Sequence, residues 1–217
     1  AQDYFCTASA ACWLSVERIL SQDTHGTGCA LSAAITALLT RLPLLDAVLL
    51  AKAYVTKGIS HAYRLGCGPG PVVHSGWPDS PSSLPWLTQS AAAGTRRLRF
   101  PACTDGAVKG VLPILRSSTA VAEAVAHGAR DVQIRLKGME RKAMCVCVRE
   151  ALAACCAAGA RLWVNDHWQI AAECGAYGVH LGQEDLTALD GDQLSQLAVS
   201  GLRLGISTHS YAELCTA

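Results

Sequence analysis

The chain has 217 residues, 51% of them hydrophobic and 16% charged, and its eighteen basic and seventeen acidic side chains leave a formal net charge of +1. That balance excludes a polybasic nucleic-acid or membrane-surface protein. The apolar content excludes a wholly disordered chain, which lacks the surface to offset ordering entropy. Length admits one large domain or two small ones, at about 100–200 residues each. No basic segment leads into an apolar core at the start, so no signal peptide is expected. The longest apolar stretch, Cys29 to Leu39, carries Ser32 and Thr36 and falls short of the about 20 residues of a membrane span. A soluble protein is expected. The eleven cysteines include no C-x-x-C interval, which leaves a structural zinc site unsupported. Without a secretion signal a disulfide framework is not expected, and a reducing cytoplasm fits.

In chain order, apolar–polar alternations at Asp3–Cys6 and Cys12–Ser15 suggest a hairpin. Residues 24–58 read as two helices. Asp23 and Thr24 are candidate caps, apolar groups from Cys29 to Leu39 follow a helical period, Pro43 suits a first turn, and Gly58 is a stop signal. Thr24-His25-Gly26-Thr27-Gly28-Cys29 opens the first of these helices. Free N–H groups at a helix start attract anions, and glycines let a phosphate approach. A plain tight turn is the competing reading of Gly26, Thr27 and Gly28. Cys29 reads either as a thiol whose thiolate the helix start favours or as a small buried residue. The loop is not G-x-x-x-x-G-K-[ST].

Six of the eight prolines and several glycines fall between residues 66 and 110. That stretch reads as an extended connection between two bodies, although its Trp77-Pro78 and Leu84-Pro85-Trp86-Leu87 patches are apolar enough to pack on one of them. Beyond it, a helix-like run ends in glycine four times, at Gly128, Gly159, Gly175 and Gly201, and a β-rich run follows each time. With Val111–Leu115 first, the strands are Val132–Leu136, Leu162–Asn165, Gly178–Leu181 and Leu204–Ser207, and a helix starts at Tyr211–Leu214. Such alternation builds a parallel sheet, because each helix is a crossover. Five strands suit an open flavodoxin-like sheet or part of an eight-stranded TIM barrel. The start at Ala1 without methionine and the stop within a fifth helix suggest an internal fragment.

Strand Val132–Leu136 sets Gln133, Arg135 and Lys137 on one face, against Val132, Ile134 and Leu136 on the other. Parallel strands are ordinarily apolar on both faces, so cations on an inner face call for an anionic partner. That partner is either a ligand or a carboxylate within the barrel. Asn165 and Asp166 end the third strand, and Glu184 and Asp185 follow the fourth. In α/β folds ligands lie at carboxyl strand ends. Two carboxylates beside Lys and Arg suit magnesium carrying a diphosphate, and helix capping by Asp166 and Asp185 is the alternative. Ser207 and His209 end the fifth strand, where a hydroxyl suits a phosphate oxygen or a helix cap.

Gln133-Ile134-Arg135-Leu136-Lys137, Val164-Asn165-Asp166, Gly178 through Asp185, and Gly205-Ile206-Ser207-Thr208-His209 resemble the thiamine-phosphate synthase family of TIM-barrel enzymes in order and spacing. The resemblance covers residues 111–217. It implies that Gln133, Ile134, Arg135, Leu136, Lys137, Asn165 and Ser207 hold an aminopyrimidine diphosphate, and that Asp166 and Asp185 bind magnesium. The implied reaction joins the pyrimidine methylene of hydroxymethylpyrimidine diphosphate to a thiazole phosphate nitrogen and expels pyrophosphate. Two features depart from the family. Gly138 replaces an acid after the strand lysine, and the later Thr-Gln-Thr-Lys and glycine-rich phosphate loops are not in this sequence.

Thr24 to Ser32, Ala51-Lys52-Ala53-Tyr54-Val55 and Gly68-Pro69-Gly70-Pro71 resemble the C-terminal segment of hydroxymethylpyrimidine and phosphomethylpyrimidine kinases of the ribokinase-like fold. That resemblance implies an anion hole at Gly26, Thr27 and Gly28, a catalytic Cys29, and ATP as co-substrate. The expected organisation is a kinase segment at 1–65, a linker at 66–110 and the first half of an incomplete (β/α)8 TIM barrel at 111–217. Together they suggest a bifunctional cytoplasmic enzyme of thiamine biosynthesis acting on small molecules, with neither nucleic acid nor membrane as partner. The fragment alone is expected to be inactive. The alternative is a non-catalytic truncated chain or remnant that at most binds a pyrimidine diphosphate. Strand edges at Val111–Leu115 and Leu204–Ser207 invite self-association.

Overall fold

The computed structural model describes residues 1–78, 80, 83–91, 98–103 and 110–216. Two compact units form, one from residues 1–97 with 208–217 and the other from residues 98–207.

In the first unit the expected hairpin is β1 (Gln2–Cys6) and β2 (Ala11–Ser15), antiparallel with Tyr4 opposite Trp13. Helices α1 (Thr27–Leu38) and α2 (Leu44–Ser60) follow, and Pro43 immediately precedes α2. Gly58 does not stop α2, which runs two residues further. Strand β3 (Trp86–Thr88) adds to β2 with Leu87 opposite Leu14. The first unit thereby takes in a strand from the stretch read as a connection. Pro85 is fully buried, and Leu84 and Leu87 pack on the core formed by Cys12, Leu14 and Leu49. Their apolar surface gains more from this sheet than from water. Of the expected linker, residues 79, 81, 82, 92–97 and 104–109 lie outside the described residues.

The second unit is one parallel sheet in the order β4 (Ile114–Leu115), β5 (Asp131–Ile134), β6 (Arg161–Asn165), β7 (Gly178–Leu181) and β8 (Arg203–Ile206). Helices α3 (Ser118–Ala126), α4 (Arg141–Ala158), α5 (Trp168–Cys174), and α6 (Gln183–Ala188) with α7 (Gly191–Val199) make the crossovers. Gly128, Gly159, Gly175 and Gly201 all have φ between +63° and +95°. Each reverses the chain out of a helix in the left-handed conformation that glycine adopts without steric cost. Strand β4 is shorter than Val111–Leu115, because Pro113 has no N–H to give the ladder, although its carbonyl accepts from Gln133.

Val132, Ile134, Val164, Val179 and Leu181 turn into one core with Val121 and Val148. The opposite face of the sheet carries Gln133, Trp163 and His180, in register with Gly178 and Gly205 on the adjacent strands. A Cβ on Gly178 would stand 2.5 Å from the Trp163 ring and 2.7 Å from the Arg203 carbonyl. At the base of this face, Arg161 donates to both carboxylate oxygens of Asp131, at 2.8 and 2.5 Å. The Trp163 indole adds a third bond to Asp131 at 3.3 Å. The carboxylate that neutralises a cation within the sheet is thus Asp131, and the cation is Arg161.

Helix α8 (Tyr211–Thr216) forms where expected but belongs to the first unit. Its Ala212 N–H donates to Asp46 Oδ1 at 2.9 Å. Cys215 is buried in the core with Leu14 and Leu49, and burial pushes its thiol up to about 11. All eleven cysteines are free. Among the described residues no helix is long and apolar enough to cross a membrane.

Gly178→Ala should lower the urea midpoint by the equivalent of about 1–3 kcal/mol, the usual cost of overpacking. An unchanged midpoint would show that Trp163 does not need the space.

Candidate functional site

In the second unit, β5 stops at Ile134, so Arg135 and Lys137 stand beyond the ladder and are exposed, while Gln133 is buried at 2%. The expectation of cations held inside the sheet is corrected accordingly: only the amide is interior. Ile134 and Leu136 are core residues, so any contact they make with a ligand would come from the backbone. Gly138 has φ +66°, a turn conformation that an acid would adopt at a cost.

Lys137 Nζ lies 2.8 Å from Asp166 Oδ2, and the Asn165 amide donates to the other oxygen, Oδ1. Asp166 has φ +63°, and no other non-glycine residue among those described has a positive φ. Its N–H donates to the His180 carbonyl at 2.9 Å. Its carboxylate does not cap α5, which starts without a side-chain cap. The capping reading holds for Asp185 instead, whose Oδ2 accepts from the Gly182 N–H at 3.3 Å in the first turn of α6.

Ser207 is held from two sides. His180 Nε2 lies 2.9 Å from its hydroxyl, and Gln183 Nε2 donates to its carbonyl at 2.6 Å. The His180 ring lies against Gly205, where a Cβ would come within 2.8 Å of Nδ1. His180 and Gln183 were legible only as parts of a motif, because their role is to place Ser207. Burial holds the His180 imidazole below its ordinary value of 6.5, against an upward pull from Asp166. His209 belongs to the first unit, with Nδ1 3.4 Å from Glu213.

These contacts connect Lys137, Asn165, Asp166, His180, Ser207 and Gln183 across the carboxyl ends of β5 to β8. Arg135 shares with Lys137 the wall of a cavity of about 450 Å³ that Arg116 also lines. The rim offers cations, amides and a hydroxyl to an anion, and the Asp166 carboxylate to a hard cation.

In the first unit, Gly26 is the left-handed N-cap of α1, with φ +85°. Asp23 and Thr24 do not cap; Asp23 Oδ1 accepts from the Gly70 N–H at 2.8 Å instead. His25 N–H donates to the Gly70 carbonyl at 3.0 Å and Val72 N–H to the His25 carbonyl at 2.9 Å. The Gly68–Pro71 segment is thereby clamped behind the loop. Gly28 and Cys29 are exposed, so Cys29 is not a buried small residue. Lys52 is buried and paired with Asp3 at 2.6 Å.

Residues 114–217 match the family model described as thiamine monophosphate synthase, and residues 1–73 match that of phosphomethylpyrimidine kinase. The thiamine-phosphate synthase of Neisseria gonorrhoeae is 47% identical over 94 residues, covering 43% of this chain and 44% of that relative. That of Serratia proteamaculans is 41% identical over 112 residues, half of each chain. A solved thiamine phosphate pyrophosphorylase from Pyrococcus furiosus aligns at 24% identity with a TM-score of 0.41, over 47% of this chain and 52% of that one. The chain spans about half the length of the curated relatives it matches. Two segments of the chain are thus similar to two families of thiamine biosynthesis.

The depressed His180 value sets a pH dependence. The folded state favours the neutral ring while the unfolded chain takes up a proton near 6.5. This contribution is therefore present above that pH and lost as pH falls through it. The urea midpoint should drop between about pH 7 and about pH 5.5, and His180→Gln should flatten that drop. An equal drop in the variant would assign it to other groups.

Proposed function

We propose that residues 114–217 form the pyrimidine-diphosphate half-site of a thiamine-phosphate synthase, and that residues 1–73 form the anion-binding end of a hydroxymethylpyrimidine/phosphomethylpyrimidine kinase. The observation that carries the synthase reading is the convergence of Lys137, Asn165 and Asp166 at neighbouring strand ends, with Arg135 on the same rim.

The reaction breaks the bond between the pyrimidine methylene and its diphosphate, whose oxygen keeps the electron pair. The thiazole nitrogen supplies a new pair to the methylene, and pyrophosphate departs. Arg135 and Lys137 are placed to meet the charge that grows on the leaving oxygens, the kind of preorganised stabilisation that accelerates such steps most. Asn165 and Ser207 orient the diphosphate by hydrogen bonding, and His180, neutral near pH 7, holds the Ser207 hydroxyl.

The donor set fits magnesium. Asp166 and Asp185 offer hard carboxylate oxygens, and magnesium takes one or two carboxylates together with phosphate oxygens and water. Among the described residues no group of three or more His, Cys, Asp or Glu side chains stands ready to hold an ion unaided, so the substrate's oxygens would complete the shell. When bound, magnesium supplies positive charge that offsets the diphosphate. In the kinase segment, the loop Gly26-Thr27-Gly28 with Cys29, exposed at Gly28 and Cys29, is the proposed anion hole for a phosphoryl group coming from ATP.

Calorimetric titration of the chain with hydroxymethylpyrimidine diphosphate should show binding in magnesium and at least tenfold weaker binding in EDTA. Asp166→Asn should weaken binding in magnesium by about tenfold, or about 1.4 kcal/mol. Equal affinity in EDTA would exclude the metal, and no binding in either buffer would exclude the half-site.

A further inference from the structure

We propose that Arg116, at the carboxyl end of β4, is a third cation of this site and makes it prefer a diphosphate to a monophosphate. The proposal rests on the synthase reading and adds a residue that no motif of that reading contains.

The cavity of about 450 Å³ at these strand ends is lined by Arg116, Arg135, Leu136, Lys137 and Met139. Its charged lining is entirely cationic. Ile114 is paired with Gln133 in register, and the Arg135 N–H donates to the Leu115 carbonyl at 2.7 Å. Two residues on from that pair, Arg116 and Arg135 leave adjacent strands on the same side, by the period of two. Neighbouring strands run about 4.7–4.9 Å apart, and like charges in that position repel.

Neither arginine forms an ion pair among the described residues, whereas the exposed Lys137 has Asp166 at 2.8 Å to offset part of its charge. Glu150 of α4, which reaches the start of α3, accepts from the Ser118 hydroxyl at 2.7 Å. Ser117 caps α3, accepting from the Ala120 N–H at 3.1 Å, so the positive end of a nine-residue helix begins beside Arg116. Two guanidinium groups without an ion pair among the described residues, on one cavity, leave a charge imbalance that an anion would relieve. Each guanidinium presents a fork that matches a phosphoryl group bidentately. Two forks on adjacent strands suit two linked phosphoryl groups. A single phosphate engages one.

Isothermal titration of the chain with magnesium pyrophosphate and with inorganic phosphate tests this, comparing wild type, Arg116→Gln, Arg116→Lys and Arg135→Gln. Arg116→Gln should weaken pyrophosphate binding about tenfold and phosphate binding less than about twofold. Arg116→Lys should recover part of the pyrophosphate loss, since it restores charge without the fork. Arg116 is exposed, so unchanged thermal midpoints should confirm that the variants fold. Loss in Arg135→Gln with none in Arg116→Gln would overturn the role of Arg116 and leave the synthase reading standing. An equal loss for both anions would overturn the preference. Failure of the wild type to bind pyrophosphate would overturn the inference and the half-site together.

Discussion

The ion pair between Lys137 and Asp166, 2.8 Å long, joins two strand ends into one rim. Lys137 follows β5 and Asp166 follows β6, and neither has secondary structure of its own to fix it. Asp166 is fixed because its two oxygens take Lys137 and Asn165 while its N–H takes the His180 carbonyl. Together these hold a non-glycine residue at φ +63°, a conformation costing on the order of 1 kcal/mol that persists only where the surroundings over-determine it. Through His180 the same network reaches Ser207. The rim is one connected set of polar contacts, and its strength comes from every member being satisfied.

That rim stands on a polar foundation at the other end of the sheet. Asp131 is buried and held by Arg161 and by the Trp163 indole. Tyr177 lies beneath two guanidinium groups, with Arg203 4.2 Å and Arg161 5.5 Å from its ring centre. Breaking a buried pair of this kind costs about 3–5 kcal/mol, because the remaining charge is stranded. The glycines at 178 and 205 leave room for the Trp163 and His180 rings. The inner face is therefore layered: an ion pair at the base, aromatic and amide groups between, and the polar rim at the top.

Much of this was legible in the sequence, for reasons that particular residues make plain. Four helix-ending glycines and the apolar runs after them placed β5 to β8 to within two residues. Local chemistry sets such boundaries, and the helix crossover then makes the sheet parallel. The hairpin at β1 and β2 followed from its alternation. The Lys137, Asn165 and Asp166 cluster followed from the rule that α/β sites lie at strand carboxyl ends.

What was not legible depends on tertiary partners. No pattern says that Trp86 to Thr88 would find β2, or that Cys215 would find Leu14 and Leu49. Period two put Gln133 on the inner face but could not say that β5 ends at Ile134, which leaves Arg135 and Lys137 exposed. Arg116 carried no signal, because its place beside Arg135 on one cavity is something only the folded sheet reveals.

The central claim, that the carboxyl ends of β5 and β6 receive a diphosphate, is tested most directly by arginine side-chain NMR. Arg130 is an internal control, since it precedes β5 and donates to the Ala158 carbonyl at 2.7 Å. On adding hydroxymethylpyrimidine diphosphate with magnesium, the Arg135 guanidinium resonance should shift and sharpen while that of Arg130 stays in place. An unmoved Arg135 resonance at saturating ligand would contradict the account.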